Sequence, residues 1–167
     1  MHNQLTKSDI KKMQEEIEYR KCVVRKELLE HVKEARAQGD LSENFEYYAA
    51  KKEKNRNESR IRYLERMIKT AKIVSDESKE DEVGLNNTVL LYFEEEQETE
   101  SYKVVTTMRE DILHNKISKE SPLGRAIFGH KVNERVFVKV NDTYGYYVVI
   151  KEIQKTGEEE SDEIRSF

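Results

Sequence analysis

Ala35-Arg36-Ala37-Gln38-Gly39-Asp40-Leu41-Ser42-Glu43-Asn44 is the stretch on which the fold turns. It interrupts two long segments that both read as helix. Before it, Ile10, Met13, Ile17, Val24, Leu28 and Val32 recur at helical spacing among charged residues. After it, from about Glu43 to Val74, Ile61, Leu64, Ile68 and Ala71 step by three, four and three, the spacing of a coiled-coil seam. Gly39 is the only glycine before Val74, and no proline precedes that residue. Glycine tolerates positive φ and so suits a helix C-cap. Asp40 or Ser42 is suited to cap the second helix, and Asp40 and Glu43 have capping-box spacing. Two helices joined by so short a loop pack antiparallel. Residues 1–74 are therefore expected to form an antiparallel coiled-coil hairpin, a rod on the order of 40–48 Å long with residues 39–42 at its tip.

Beyond the hairpin the period changes. The polar run 75–82 (SDESKEDE) reads as a linker. Thr88–Phe93, Ser101–Thr107, Arg135–Val140 and Tyr146–Ile153 are rich in β-branched and aromatic residues. The acidic run Glu94–Glu100 separates the first two, and Asn141–Gly145 forms a turn between the last two. Between the pairs lies SPLGRAIFG, with Ser121 placed as N-cap, Pro122 at the first helical position and Gly129 as the stop. The expectation is an α+β chain: the hairpin, then a mainly antiparallel sheet domain with one helix over 83–155. The acidic tail 156–167 is expected to be disordered.

Composition limits the function. Of 167 residues, 38% are charged and 36% hydrophobic, which favours elongation over one large core. The net charge of −4 hides an asymmetry: residues 1–74 carry 18 Lys and Arg against 13 Asp and Glu, residues 75–167 carry 12 against 21. Such halves suit different partners. A single cysteine, Cys22, excludes internal disulfides and cysteine-based metal sites. No apolar run approaches a membrane span. The four histidines show no ligand spacing, and no P-loop, GxGxxG or HExxH occurs.

Two features of the first half carry chemistry. Asp40 and Glu43 place two hard oxygen donors on the end of a probe. Mg²⁺ takes one or two protein carboxylates and completes its shell with phosphate and water, so this pair suits a site that another macromolecule half provides. Lys51, Lys52, Lys54, Arg56, Arg60 and Arg62, against only Glu53 and Glu58, make a basic stripe on the shaft. It is either a solvated helix face or a track for a nucleic acid backbone. Tyr47 and Tyr48 could stack on a base or pack within the hairpin.

EARAQGDLSENFEYYAAKKE (34–53) strongly resembles the tip of the bacterial Gre transcript cleavage factors, the GreA/GreB family. The likeness continues through ESRIRYLERMIKTAKIV (58–74) and resumes at KISKESPLGRAIFGHKVNERVFV (116–138). AAKK at 49–52 suits the GreA type, while the dense basic stripe leans towards GreB. The resemblance implies a coiled coil that enters the secondary channel of RNA polymerase and an FKBP-like domain that docks at its rim. It implies that Asp40 and Glu43 help hold the second catalytic Mg²⁺, with Ser42 and Asn44 in support. The polymerase then cleaves the extruded RNA 3′ end of a backtracked complex. Lys51, Lys52, Lys54, Arg56 and Arg60 would face that RNA, and Asp111 would take part in docking. The protein would be a cytoplasmic monomer, a cofactor of an enzyme rather than an enzyme, with no membrane partner and no metal of its own.

Several positions depart from the family pattern. Asp9 and Asn86 stand where glycine is common, and Phe45 where alanine is usual. The docking loop, often V-G-x-x-E-A-D-P, reads Val105-Thr106-Thr107-Met108-Arg109-Glu110-Asp111-Ile112. Phe45 and this loop raise an alternative: a Gre-like regulator that occupies the channel and inhibits without stimulating cleavage. Two further readings, a prolyl isomerase and a generic coiled-coil adaptor, rest on fold analogy and on the hairpin alone.

Overall fold

The structure, a computed structural model, describes residues 3–38, 44–158 and 162–166. The chain divides into two compact units: residues 10–71, and residues 3–9 together with those from 72 onward. The boundary differs from the expected 1–74, because the first strand of the chain belongs with the second unit.

The first unit is the expected helical hairpin. Helix α1 (Lys7–Tyr19) runs through a π turn (Arg20–Val24) into α2 (Arg25–Ala37), and α3 (Phe45–Lys69) packs back against α2. Met13, Ala35, Tyr47, Ile61 and Leu64 are buried in it. The π turn frees backbone that a regular helix would use, and the second arm takes it up. Asn57, 3% exposed, donates from Nδ2 to the Arg20 carbonyl at 3.4 Å and accepts from the Arg20 guanidinium at 3.0 Å. The N–H of Arg25 also reaches the Arg20 carbonyl, the i→i+5 bond of the π turn.

The second helix was expected to run to Val74. It stops at Lys69, with Thr70 as its C-cap. The next residues are drawn into strand pairing: β1 (Gln4–Leu5) and β2 (Lys72–Ile73) lie parallel, joined by Lys72 N–H to Asn3 O at 2.7 Å and Val74 N–H to Leu5 O at 2.9 Å. Thr6 and Asp9 then form a reciprocal capping box at the start of α1, with bonds of 3.0 and 3.1 Å.

The second unit carries a five-stranded sheet built from β3 (Thr88–Phe93), β4 (Glu98–Val105), β5 (Lys116–Ser118), β6 (Arg135–Lys139) and β7 (Gly145–Gln154). The order is β5-β4-β3-β7-β6, antiparallel except for the parallel β4–β5 pair. Strand β5 is too short and too polar to have been visible in the sequence. The run Glu94–Glu100 does not separate the first two strands: the chain turns at residues 94–97, and Glu98 and Glu100 already belong to β4. Helix α4 (Pro122–Ile127) packs on the sheet through Leu123 and Ile127, as its caps predict. Ser121 Oγ accepts from Gly124 N–H at 3.1 Å, and Gly129 has φ +81°. Asn86 has φ +66°, the left-handed conformation it was expected to take over from glycine.

The tail is not a wholly free end. Asp162, 1% exposed, pairs with Lys103 Nζ at 2.5 Å and Lys116 Nζ at 2.8 Å, and Arg165 N–H reaches Met108 O at 2.7 Å. Residues 162–166 differ from the expected disorder because a buried carboxylate finds two lysines on neighbouring strands. Among the described residues no helix is long and apolar enough to cross a membrane.

The candidate site at the end of the hairpin

The two arms of the hairpin end at Ala37 and begin again at Phe45, so the chain between them carries the candidate acids. Asp40, Ser42 and Glu43, and Gly39, which was expected as a helix C-cap, lie outside the described residues; the C-cap of α2 is Gln38. Asn44 is described. It is the N-cap of α3: Oδ1 accepts from Tyr47 N–H at 2.9 Å while Nδ2 donates to the Ala35 carbonyl at 2.6 Å. One amide thus satisfies a free donor at the start of one arm and a carbonyl at the end of the other. The cap was expected at Asp40 or Ser42, which propensity favours as well as Asn44.

The two tyrosines separate. Tyr47 packs inside the hairpin at 8% exposure, with its hydroxyl accepting from Arg36 at 3.3 Å. That hydrogen bond, opposed by burial and aided by nearby lysines, holds the phenol below its ordinary pKa. Tyr48 is 52% exposed, and Phe45 is 84% exposed at the first position of α3.

The basic stripe is shorter than the sequence implied. Lys51, Lys52 and Arg56 are exposed and Lys54 is half-buried. Arg56 leans on Glu53 at 3.3 Å, a contact of little energy at such exposure. Arg60 is not part of the stripe. It is 5% exposed and grips Glu16 on the opposite arm, Nε to Oε2 at 2.8 Å and Nη2 to Oε1 at 3.2 Å. Position 60 sits one residue before the seam residue Ile61, so its guanidinium is drawn under the partner helix rather than outward.

Asp111, expected at a docking surface, organises a tight loop. Its N–H and carbonyl both bond Lys116 at 2.9 Å, and its carboxylate meets His114 Nδ1 at 2.6 Å. The loop presents Ile112 and Leu113, 72% and 92% exposed.

Models of the GreA/GreB transcription elongation factor N-terminal domain and C-terminal domain match residues 3–73 and 77–155. The chain belongs to the GreA/GreB family. Among its relatives, transcription elongation factor GreA of Caldanaerobacter subterraneus is 47% identical over 81% of this chain and 87% of its own length. GreA of Bacillus subtilis is 42% identical over 81% and 86%, and GreA of Thermotoga maritima 38% over 90% and 97%. A solved structure of the transcription factor Gfh1 covers 92% of this chain and 97% of its own at 27% identity, with a TM-score of 0.45.

Against this family background two departures resolve into one. Asp9 and Arg109 form an ion pair, Nε to Oδ1 at 2.6 Å, with both side chains 2% exposed. Thr106 Oγ1, at the position of the usual loop glycine, donates to the other Asp9 oxygen at 2.8 Å. The same guanidinium donates to the Asp162 carbonyl and reaches Glu158 at 3.0 Å. Asp9 supplies the anion, Arg109 the cation and Thr106 a hydroxyl. The sequence showed them as unrelated oddities because nearly a hundred residues separate them.

A prediction follows for Arg60. Replacing it with alanine leaves Glu16 half-buried with only Arg20, and costs the hairpin about 1–3 kcal/mol in a denaturant titration. Burial pushes the Glu16 carboxyl up, but the hydrogen bonds and charges of Arg60 and Arg20 outweigh it and hold the carboxyl below its ordinary value. The stabilisation is therefore present above the unfolded glutamate value of about 4.3 and is lost as pH falls through the lower folded value. In Arg60→Ala that acid-side loss shrinks.

Proposed function

We propose that this protein is a transcription elongation factor that enters the secondary channel of RNA polymerase and stimulates the polymerase's own Mg²⁺-dependent cleavage of backtracked RNA. The observation that carries the reading is the Gly39-Asp40-Leu41-Ser42-Glu43 segment, two carboxylates between the arms of an antiparallel hairpin in a chain of this family. Helix α3, at 25 residues about 37 Å long, supports delivery of that segment deep into a partner.

The donor set fits a shared metal rather than a resident one. Asp40 and Glu43 supply hard oxygens, yet two carboxylates leave most of the Mg²⁺ shell to phosphate and water. Among the described residues no group of three or more His, Cys, Asp or Glu could hold a metal alone. Bound between factor and polymerase, Mg²⁺ would supply charge that stabilises the leaving oxygen in phosphodiester hydrolysis. Asn44 ties both arms together immediately after the acids, which limits the freedom of the segment that carries them. Lys51, Lys52, Lys54 and Arg56 offer phosphate contacts to the extruded RNA 3′ end. The factor acts as a cytoplasmic monomer and catalyses nothing alone.

Docking falls to the loop at Asp111. Ile112→Asp with Leu113→Asp removes its apolar surface and weakens polymerase binding at least tenfold, with the melting temperature unchanged; unchanged affinity in a binding titration would move docking elsewhere.

The reading is tested on a backtracked elongation complex with 5′-labelled RNA and the cognate polymerase. Addition of the protein and Mg²⁺ shortens the RNA. One observation favours a second reading, an inhibitor on the same route: the ring of Phe45, two residues after Glu43 in the sequence, is 84% exposed and free to meet the channel wall. Slower elongation without RNA shortening would select that reading.

A further inference from the structure

Helix α4 is too short for the sheet it covers. Its six residues span about 9 Å, whereas the ten of β7 extend about 33 Å. One end of the inner sheet face is covered by Leu123 and Ile127. The other end is left open as a cleft of about 330 Å³. Its floor is a row of four aromatic rings from three strands and a turn. Tyr102 meets Phe93 at 5.8 Å between centroids, Phe93 meets Tyr146 at 6.1 Å, and Tyr146 meets Tyr144 at 6.1 Å. Phe93, Tyr102 and Tyr146 pack their inner sides on the sheet core and are half-buried, whereas Tyr144 is exposed, so the row presents ring surface to the cleft.

The rim is acidic. Glu96, Glu98 and Glu100 line the cleft, and no lysine or arginine does. Two carboxylates are held by the rings themselves: the Tyr102 hydroxyl donates to Glu100 at 2.7 Å and the Tyr144 hydroxyl to Glu95 at 3.0 Å. Glu98 and Glu100 lie on one face of β4, in line with Tyr102. Arg135 of β6 is turned to other partners, Glu94 at 2.7 Å and the Tyr147 ring at 3.6 Å.

We propose that this cleft is a docking site for a protein segment that presents lysine or arginine. Ring faces carry negative quadrupole charge and attract a cation above them. The carboxylates supply Coulomb attraction and hydrogen-bond acceptors for the same group. Aromatic pockets ringed by acid are the chemistry of cation recognition. A nucleic acid backbone is repelled by the same rim, and a neutral apolar chain would leave it unused. The site is independent of the hairpin acids and of the loop at Ile112, so its failure and that of the proposed function are separable.

The test uses the full chain and a blocked peptide, acetyl-Gly-Lys-Arg-Lys-Gly-amide, with acetyl-Gly-Glu-Asp-Glu-Gly-amide and a neutral proline-rich peptide as controls. Heteronuclear NMR should show saturable shifts centred on Phe93, Tyr102, Tyr144 and Tyr146 with the cationic peptide, weaker at high salt. Glu98→Gln with Glu100→Gln, both at exposed positions, should lower affinity about fivefold without changing the melting temperature. Tyr146→Leu should lower it about threefold. Shifts confined to other acidic surfaces, equal binding by the Glu98/Glu100 variant, or equal binding of the neutral peptide would each overturn the proposal.

Discussion

Transcript cleavage stimulated by this protein falls by at least about 100-fold when Asp40 and Glu43 are both replaced by alanine, while its affinity for polymerase is retained. The magnitude follows from ligand chemistry. Changes to groups that only orient a metal ligand already cost 10–100-fold, so removal of both ligands costs more. The binding term is unaffected because the surfaces available for docking, the arms of the hairpin and the loop at Ile112, lie elsewhere in the sequence. Each single variant should lose less, and raising Mg²⁺ should recover part of the single losses but little of the double, since mass action replaces one weak ligand more readily than two. The readout is RNA shortening in a backtracked complex, paired with a competition binding titration. Undiminished cleavage in the double variant would remove the assigned role of the acids. Loss of binding together with cleavage would make them docking residues.

Arg109→Met should lower the stability of the sheet unit by about 3–5 kcal/mol, because it strands Asp9 as an unpaired buried charge. For a unit of this size that is a drop of roughly 10–20 °C in melting temperature. The double variant Asp9→Asn with Arg109→Met should recover much of the loss, since removing both charges together is far cheaper than removing one. A double-mutant cycle by thermal melting measures the coupling directly. A loss under about 1 kcal/mol in the single variant would mean that water reaches Asp9 and the pair is decorative. The experiment matters for function as well as stability. Arg109 lies in the same loop segment as Asp111, and its guanidinium also holds the backbone of Asp162, so the loop that presents Ile112 and Leu113 is braced from two sides.

The parts of this fold that were legible in the sequence are those set by near neighbours. The 3.6-residue period announced both arms, and Ser121, Pro122 and Gly129 announced α4 and its end. The parts that were not legible are those set by a distant partner. Strand β5 has three residues and exists because β4 offers it a free edge. The end of α3 came early because Gln4–Leu5 supplied a strand for Lys72–Ile73. Residues 162–166 were expected to be disordered from composition, which records that they are acidic but not that Lys103 and Lys116 await an acid.

The candidate site divides in the same way. Asp40, Ser42, Glu43 and the exposed lysines stand out in the sequence as candidates because their motif is contiguous and a helix face repeats. Asn44 and Arg60 were readable as residues but not as roles. Asn44 caps one arm while it bonds Ala35 on the other, and a basic residue is a surface charge or a buried clasp according to what faces it.

The sequence by itself determined the two-part architecture, the acids of the tip and the family, because period, capping and a contiguous motif are local properties of a chain. Only the tertiary structure decided that Asp9 and Arg109 are one interaction, that Arg60 belongs to Glu16, that the acidic tail is anchored, and that four aromatic rings and their carboxylates share one open cleft. Each of these joins residues dozens of positions apart, and a chain acquires such neighbours only when burial forces charge and ring surface to find partners across the fold.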